Sequence, residues 1–363
     1  MSRREQEKLG DCVRWMIVGL AIASVAVAQA APKISIARWP GDRKAAISLT
    51  FDDAMNTHLD QARPILKRHR LVGTFFVTTG KPEWQNRKTE WQALAAEGNE
   101  LGNHTVNHPC LLEVIQPHSQ DYTPEMMEAE IREAAAEIVT TTNSHRGLTF
   151  AYPCGNMSFG KPADQAKNEA LYMTFVSRYA FAARGAVGAG SPEDPDEMDV
   201  LTISDLGTTE AKDAPALINM AEGAVAADNW GIFCFHGVAG EYLSITSDAL
   251  DGLAAYLQPN SEIWTASFGD VVRYIIERKA ASMKAQPKSD GSVDIHLLWP
   301  MPAATYDLPL TFVLELPASW NRANVLLDGK PALRPVAAQD NPQRLVVDIP
   351  AGTEVLSLSP TSR

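Results

Sequence analysis

Short apolar runs alternate with longer amphipathic stretches from Ala45 onward. Residues 45–50, 74–78, 100–103, 148–152, 175–183, 231–235 and 262–265 are rich in β-branched, aromatic and other apolar residues, and they read as strands. Between them, residues 56–68, 90–97, 124–140, 163–172, 215–228, 246–257 and 269–279 read as helices. In the first helix Leu59, Ala62, Ile65 and Leu66 share one face. Gly98 ends the second, and Thr123 with Pro124 supplies an N-cap and first position for the third. Strands alternating with helices imply parallel βαβ units. Seven such units in about 240 residues suit a barrel better than an open sheet. No glycine-rich phosphate or dinucleotide motif follows any strand. The pattern changes after Lys279. Residues 284–363 show no helical period, only short apolar runs at 293–299, 310–316, 323–327, 345–349 and 355–358, separated by Pro, Gly, Asn and Asp. They predict a small all-β sandwich, joined to the barrel by a linker over 281–291. There is no internal repeat.

The chain length of 363 residues fits this division into a barrel over 31–280 and a β domain over 284–363. Hydrophobic residues at 45% and charged residues at 21% are ordinary for a globular protein. A net charge of -12 argues against a nucleic-acid partner, which needs a basic face. The N-terminus changes the picture more. Arg3, Arg4, Lys8 and Arg14 precede a small, apolar stretch at 13–27, and residues 26–28 and 28–30 both fit a small-x-small cleavage rule. Residues 1–30 therefore read as a signal peptide, which predicts a secreted or periplasmic protein with no membrane span after its removal. An uncleaved anchor is the alternative, but the run is short for a span. The mature chain would hold Cys110, Cys154 and Cys234. An odd count excludes a pure disulfide scaffold and leaves a single bridge open.

Three fragments carry chemistry, each just after an apolar β run. In Asp52-Asp53, two adjacent carboxylates repel unless a cation lies between them. His104 and His108, four residues apart, can face one ion. Two imidazoles and one carboxylate with open positions describe a catalytic rather than a structural metal site. His236 closes the apolar run Phe233-Cys234-Phe235 and is followed by Gly237. A near-neutral imidazole there suits a general acid.

In order and spacing, Asp52-Asp53, His104-x-x-x-His108 and Phe235-His236 resemble the polysaccharide deacetylase family (carbohydrate esterase family 4, the NodB homology domain) over about residues 40–280. The resemblance implies an α/β fold with a distorted (β/α)7 barrel, followed here by the sandwich-like β domain. It implies a divalent metal, usually zinc, on Asp53, His104 and His108, with Asp52 as base and His236 as the acid that protonates the leaving group. The implied substrate is an acetylated glycan, losing N- or O-acetyl groups. The fragment Tyr152-Pro153-Cys154-Gly155 matches a further family motif, in which the Cys154 amide would help hold the oxyanion, and Pro153 would aim it. Tyr152, Pro153, Gly155, Phe235 and Trp264 are the accompanying candidates for substrate contact, Trp264 for the acetyl-methyl pocket or simply for the core. The sequence departs from the family at Ala151, where many members carry an arginine that orients the base. Arg184 or Arg178 could substitute. No Asp-Trp pair marks the remaining motif, leaving Asp199 and Asp205 as candidates. Two other readings stay open: hydrolysis of small cyclic amides on the same barrel, and a glycan-binding protein with a decayed site.

Overall fold

The computed structural model describes residues 31–186, 190–207, 213–332, 336–338 and 341–361. The segment read as a signal peptide, 1–30, lies outside them. The first strand, β1 (Lys33–Ile36), precedes eight further strands of the barrel region: β2 (Ala45–Asp52), β3 (Thr74–Val77), β4 (Glu100–Asn103), β5 (Thr149–Ala151), β6 (Ala182–Ala186), β7 (Ile203–Ser204), β8 (Trp230–Phe235) and β9 (Ile263–Thr265).

Seven of these, in the order β7-β6-β5-β4-β3-β2-β8, form one parallel sheet, and β9 pairs with the start of β2. The order curls the sheet into the predicted distorted (β/α)7 barrel. Beyond β7, the Leu206 amide donates to the Ile232 carbonyl of β8 at 2.9 Å, so the two ends of the sheet nearly meet. All eight residues of β2 are buried. A strand covered on both faces reads as a continuous apolar run, which is why this one was plain in the sequence. Its register pairs Thr50–Asp52 with Thr74–Phe76 on one side and Ala46–Phe51 with Trp230–Phe235 on the other. Parallel pairing brings the C-terminal ends of the strands to one rim, where Asp52, Asn103, Ala151, Arg184 and Phe235 stand.

The helices pack outside the sheet. The helix Pro124–Thr142 starts on Thr123, whose hydroxyl accepts from the Met126 amide at 3.3 Å. Its inner face buries Met127, Ile131, Ala134 and Ile138. Among the described residues no helix is long and apolar enough to cross a membrane.

The remaining strands are β10 (Ser282–Pro287), β11 (Val293–Leu298), β12 (Leu310–Glu315), β13 (Ala323–Leu327), β14 (Lys330–Pro331), β15 (Val336–Ala338), β16 (Asn341–Ile349) and β17 (Val355–Pro360). They make two antiparallel sheets, β1-β12-β16-β15 and β10-β11-β17-β13-β14. Phe312, Leu314, Trp320, Val347, Leu356 and Leu358 form the core between them.

Three details differ from the sequence reading. The run at 175–183 is not one strand: the helix Gln165–Tyr179 continues through it, and β6 begins at Ala182. Phe175 and Val176 are buried on that helix, and a short apolar run does not distinguish a buried helical face from a strand. The stretch read as a linker at 281–291 contains β10, whose six residues are all exposed. It is held by its ladder with β11 rather than by burial, and so it leaves no hydrophobic signature. Finally, β1 lies before the barrel in sequence but pairs with β12 of the β region.

Candidate active site

The rim of the barrel opens into a cavity of about 550 Å3. Asp52, Asp53, His104, His108 and His236 all line it, as do Tyr152, Cys154 and Gly155. Asp53 follows the last residue of β2 in a left-handed conformation (φ 83°), with Ala54 likewise at φ 57°. The strand thus ends in a sharp turn that aims both carboxylates inward. On the next loop His104 Nε2 lies 3.8 Å and His108 Nε2 3.4 Å from Asp53 Oδ1. The ligand atoms of Asp53, His104 and His108 lie within 4.8 Å of one another.

The loop holding the two histidines is built by its neighbours. Buried Glu130, on the helix Pro124–Thr142, accepts from the Val106 and Asn107 amides at 2.9 and 2.7 Å. Thr105 Oγ1 accepts from the His108 amide at 2.9 Å. Thr105 and His108 both have positive φ, so these bonds hold an otherwise costly backbone. His104 Nδ1–H donates to the Ala151 carbonyl at 2.7 Å, which leaves the Nε2 lone pair toward Asp53. Asp53 Oδ1 is buried and has no hydrogen-bond partner. Burial opposes its ionisation, but His108, Lys81 and His104 outweigh that and hold Asp53 well below the usual carboxylate range. Burial pushes the His108 imidazole down to about 4. An ionised carboxylate facing two neutral imidazoles, with an orphaned oxygen between them, is a donor set that fits a divalent ion.

Asp52 is held differently. Arg184, buried on β6, donates to Asp52 Oδ2 and, at 3.0 Å, to Asp205 Oδ2. The thiol of Cys234 also points at Asp52 Oδ2, 3.7 Å away. Asp52 Oδ1 is left buried without a partner. Burial favours the neutral acid, but the Arg184 guanidinium and His104 outweigh it, and Asp52 stays ionised. Arg184 therefore stands where the arginine missing at Ala151 was expected to act. The two residues are register partners on adjacent strands. Arg178 does not: it is exposed and donates to Glu128 at 2.6 Å. Of the two acids considered for the remaining motif, Asp205 is the one in the cavity wall, and it binds Arg184 rather than His236. Asp199 is exposed.

His236 faces the cavity, with Tyr242 edge-on at 5.9 Å. Beneath it, His58 Nε2–H donates to the His236 carbonyl at 2.9 Å. Burial pushes the His58 imidazole down to about 4, so it remains neutral. Cys154 is in the left-handed region (φ 53°) within the turn Pro153–Gly155, and it forms a disulfide with Cys110. Cys234 is free and buried. The structure therefore makes one bridge among the three cysteines left open by their number.

Some candidates fall elsewhere. Phe235 is fully buried and packs on Phe51 and Phe233. Trp264 packs on Tyr274 at 5.5 Å, between barrel and β sandwich. Pro153 is buried behind the turn. None of these three lines the cavity. Residues that sequence reasoning missed do line it: Lys81, Leu112, Val114, Gly185 and Tyr242. Gly185 carried a weak signal, being a glycine inside a strand. A Cβ there would come within 2.8 Å of the Tyr152 ring.

An α/β barrel whose strand ends gather two carboxylates and three imidazoles around one cavity defines the class of site. Residues 40–173 match the family model for polysaccharide deacetylase, so the likeness read from the motifs is shown over that stretch. The chain is 36% identical over 95 residues to a chitooligosaccharide deacetylase of Rhizobium leguminosarum bv. trifolii, covering 26% of this chain and 40% of the relative. It is 26% identical over 323 residues to a gellan lyase of Bacillus sp, covering 82% of this chain but 12% of that protein. Among solved structures, PdaA of Bacillus subtilis, a family 4 carbohydrate esterase, matches with a TM-score of 0.40 at 16% identity, covering 65% of this chain and 83% of that one. The chain thus spans well under half the length of the two curated relatives.

Proposed function

We propose that this protein is a metal-dependent carbohydrate deacetylase that hydrolyses acetyl groups, N-acetyl in the first instance, from an exported or extracellular glycan. One observation carries the proposal: Asp52, Asp53, His104, His108 and His236 line one cavity, and the two adjacent carboxylates have different neighbours there. Asp53, His104 and His108 would hold the ion, for which two imidazoles and a carboxylate favour zinc. When bound, such an ion lowers the pKa of a water and polarises an acetyl carbonyl. Asp52, ionised and with Oδ1 uncommitted, takes the proton from the attacking water. Arg184 and Cys234 hold its other oxygen, so the base is aimed before substrate arrives. His236, across the cavity, gives a proton to the leaving amine. The turn Pro153–Gly155 brings the Cys154 backbone to the cavity wall, where an amide donor suits a developing oxyanion.

Export is supported by the Cys110–Cys154 bridge, because such bonds persist in oxidising compartments. It agrees with a signal peptide over 1–30. The missing arginine at Ala151 favoured a decayed site, and Arg184 removes that motive.

The division of labour is tested by two variants. Asp53→Ala should lose both bound metal and acetate release. Asp52→Asn should keep metal and lose release about 100-fold or more. Metal content by elemental analysis separates the two. Full turnover in Asp52→Asn would mean another base and would overturn this assignment.

A further inference from the structure

One cation in the cavity has no step assigned to it in this chemistry. Lys81 follows β3, and the backbone leading to it is held: the Thr79 amide donates to the Thr105 carbonyl at 3.1 Å, the Gly80 amide to the Val106 carbonyl at 2.7 Å, and the Lys81 amide to the Thr78 carbonyl at 3.3 Å. Its side chain lines the cavity and is 36% exposed. Nζ lies 3.5 Å from Asp53 Oδ1, an ion pair without a hydrogen bond. The other cation among the described lining residues, Arg184, is committed to Asp52 and Asp205.

The charges of the lining can be added. Asp52, Asp53 and Asp205 oppose Lys81 and Arg184. A divalent ion on Asp53, His104 and His108 turns that excess of one negative charge into an excess of one positive charge. The protein as a whole carries -12. The cavity is then a positive spot on an acidic molecule, and a focused positive cleft draws anions. That ion would also be a like charge beside the Lys81 ammonium, and would take over its place beside Asp53. A four-carbon stem lets the ammonium turn toward the cavity. Among the exposed lining residues, Leu112, Val114 and Tyr242 are apolar or neutral; the acids Glu113 and Glu241 stand beside them on the same loops but outside the lining, and Glu241 accepts from the Asn56 and Thr57 amides.

We propose that Lys81 binds a carboxylate carried by the substrate, so that the preferred glycan is acidic, with a uronate or a carboxyl-bearing ether substituent at or beside the acetylated sugar. The proposal rests on the deacetylase reading for the acetyl group, but not for the charge.

The test uses the zinc-loaded full chain and two matched pairs of ligands. One pair is acetylated glucuronate oligomers and the same oligomers with carboxylates reduced to alcohols. The other is peptide-free glycan strands bearing lactyl carboxylates and the same strands with those groups amidated. Binding is followed by calorimetry and turnover by acetate release. We expect at least one acidic form to bind about tenfold or more tightly than its masked form, with the preference weakening as salt is raised. Lys81→Met, which keeps the stem, should bring the ratio to about one, and Lys81→Arg should retain it. Equal binding of both forms in both pairs, or an undiminished preference in Lys81→Met, overturns the proposal. A Lys81-dependent preference without acetate release instead overturns the deacetylase reading and leaves the carboxylate site standing.

Discussion

At the scale of single residues, the site depends on giving two adjacent carboxylates different surroundings. Each keeps one buried oxygen without a partner, but Asp53 faces imidazoles, while Asp52 meets a guanidinium and a thiol. Arg184 is the hinge of this arrangement, because it satisfies two buried acids at once. Replacing it with Met leaves Asp52 and Asp205 buried and uncompensated, which should cost about 3–5 kcal/mol of stability. Arg184→Lys keeps the charge but not a fork able to bridge two carboxylates, and should lower acetate release about 10- to 100-fold with metal retained. Thermal unfolding and turnover at fixed zinc occupancy check both. An Arg184→Met variant as stable and active as the parent would remove Arg184 from the account. Most of the cluster was legible in the sequence, because Asp52-Asp53 and His104-x-x-x-His108 are local spacings. Arg184 could only be guessed there. Its place depends on the register of β5 against β6, which sets Ala151 beside Arg184 from 33 positions away. Lys81 gave no signal at all, since nothing around it marks a loop lysine as facing a cavity.

At the scale of elements, strand ends do the positioning and loops complete the cavity. The loop from Cys110 to His118 brings Leu112, Val114, Ile115 and Gln116 to the wall. The Cys110–Cys154 disulfide ties that loop to the turn Pro153–Gly155 across 44 residues. On chain-entropy grounds a bridge closing that span stabilises by about 4 kcal/mol. Reduction, or the double change Cys110→Ser and Cys154→Ser, should lower the melting temperature. It should also lower kcat, because the turn that carries the Cys154 amide loosens, while bound metal is retained on Asp53, His104 and His108. An unchanged kcat in the bridge-free protein would remove the Cys154 amide from the chemistry. Elements with apolar periodicity were foreseen to within a few residues, including Pro124–Thr142 and Ala323–Leu327. Those that failed lacked that signal or carried an ambiguous one. The two-residue β7 is too short to show a period, β10 is exposed throughout, and the helix Gln165–Tyr179 buries apolar residues where a strand was expected.

At the scale of the whole molecule, barrel and β sandwich share a seam. Tyr274, on the last barrel helix, sits in the sandwich core and donates its hydroxyl to the Ala37 carbonyl at 3.0 Å, just beyond β1. Trp264 packs against the same seam, which explains why it contributes to the fold rather than to the cavity. The sandwich closes on the barrel through β1, whose partner β12 lies far along the chain. No local pattern in the sequence announces such a pairing.

The central claim is that one cavity joins a divalent ion to a carboxylate base for acetyl hydrolysis. It is tested most directly by acetate release from acetylated oligosaccharides, measured on the purified protein as isolated, after chelation, and after zinc is restored. The account predicts release that falls to background on chelation and returns with zinc. Release that survives complete removal of metal would contradict it.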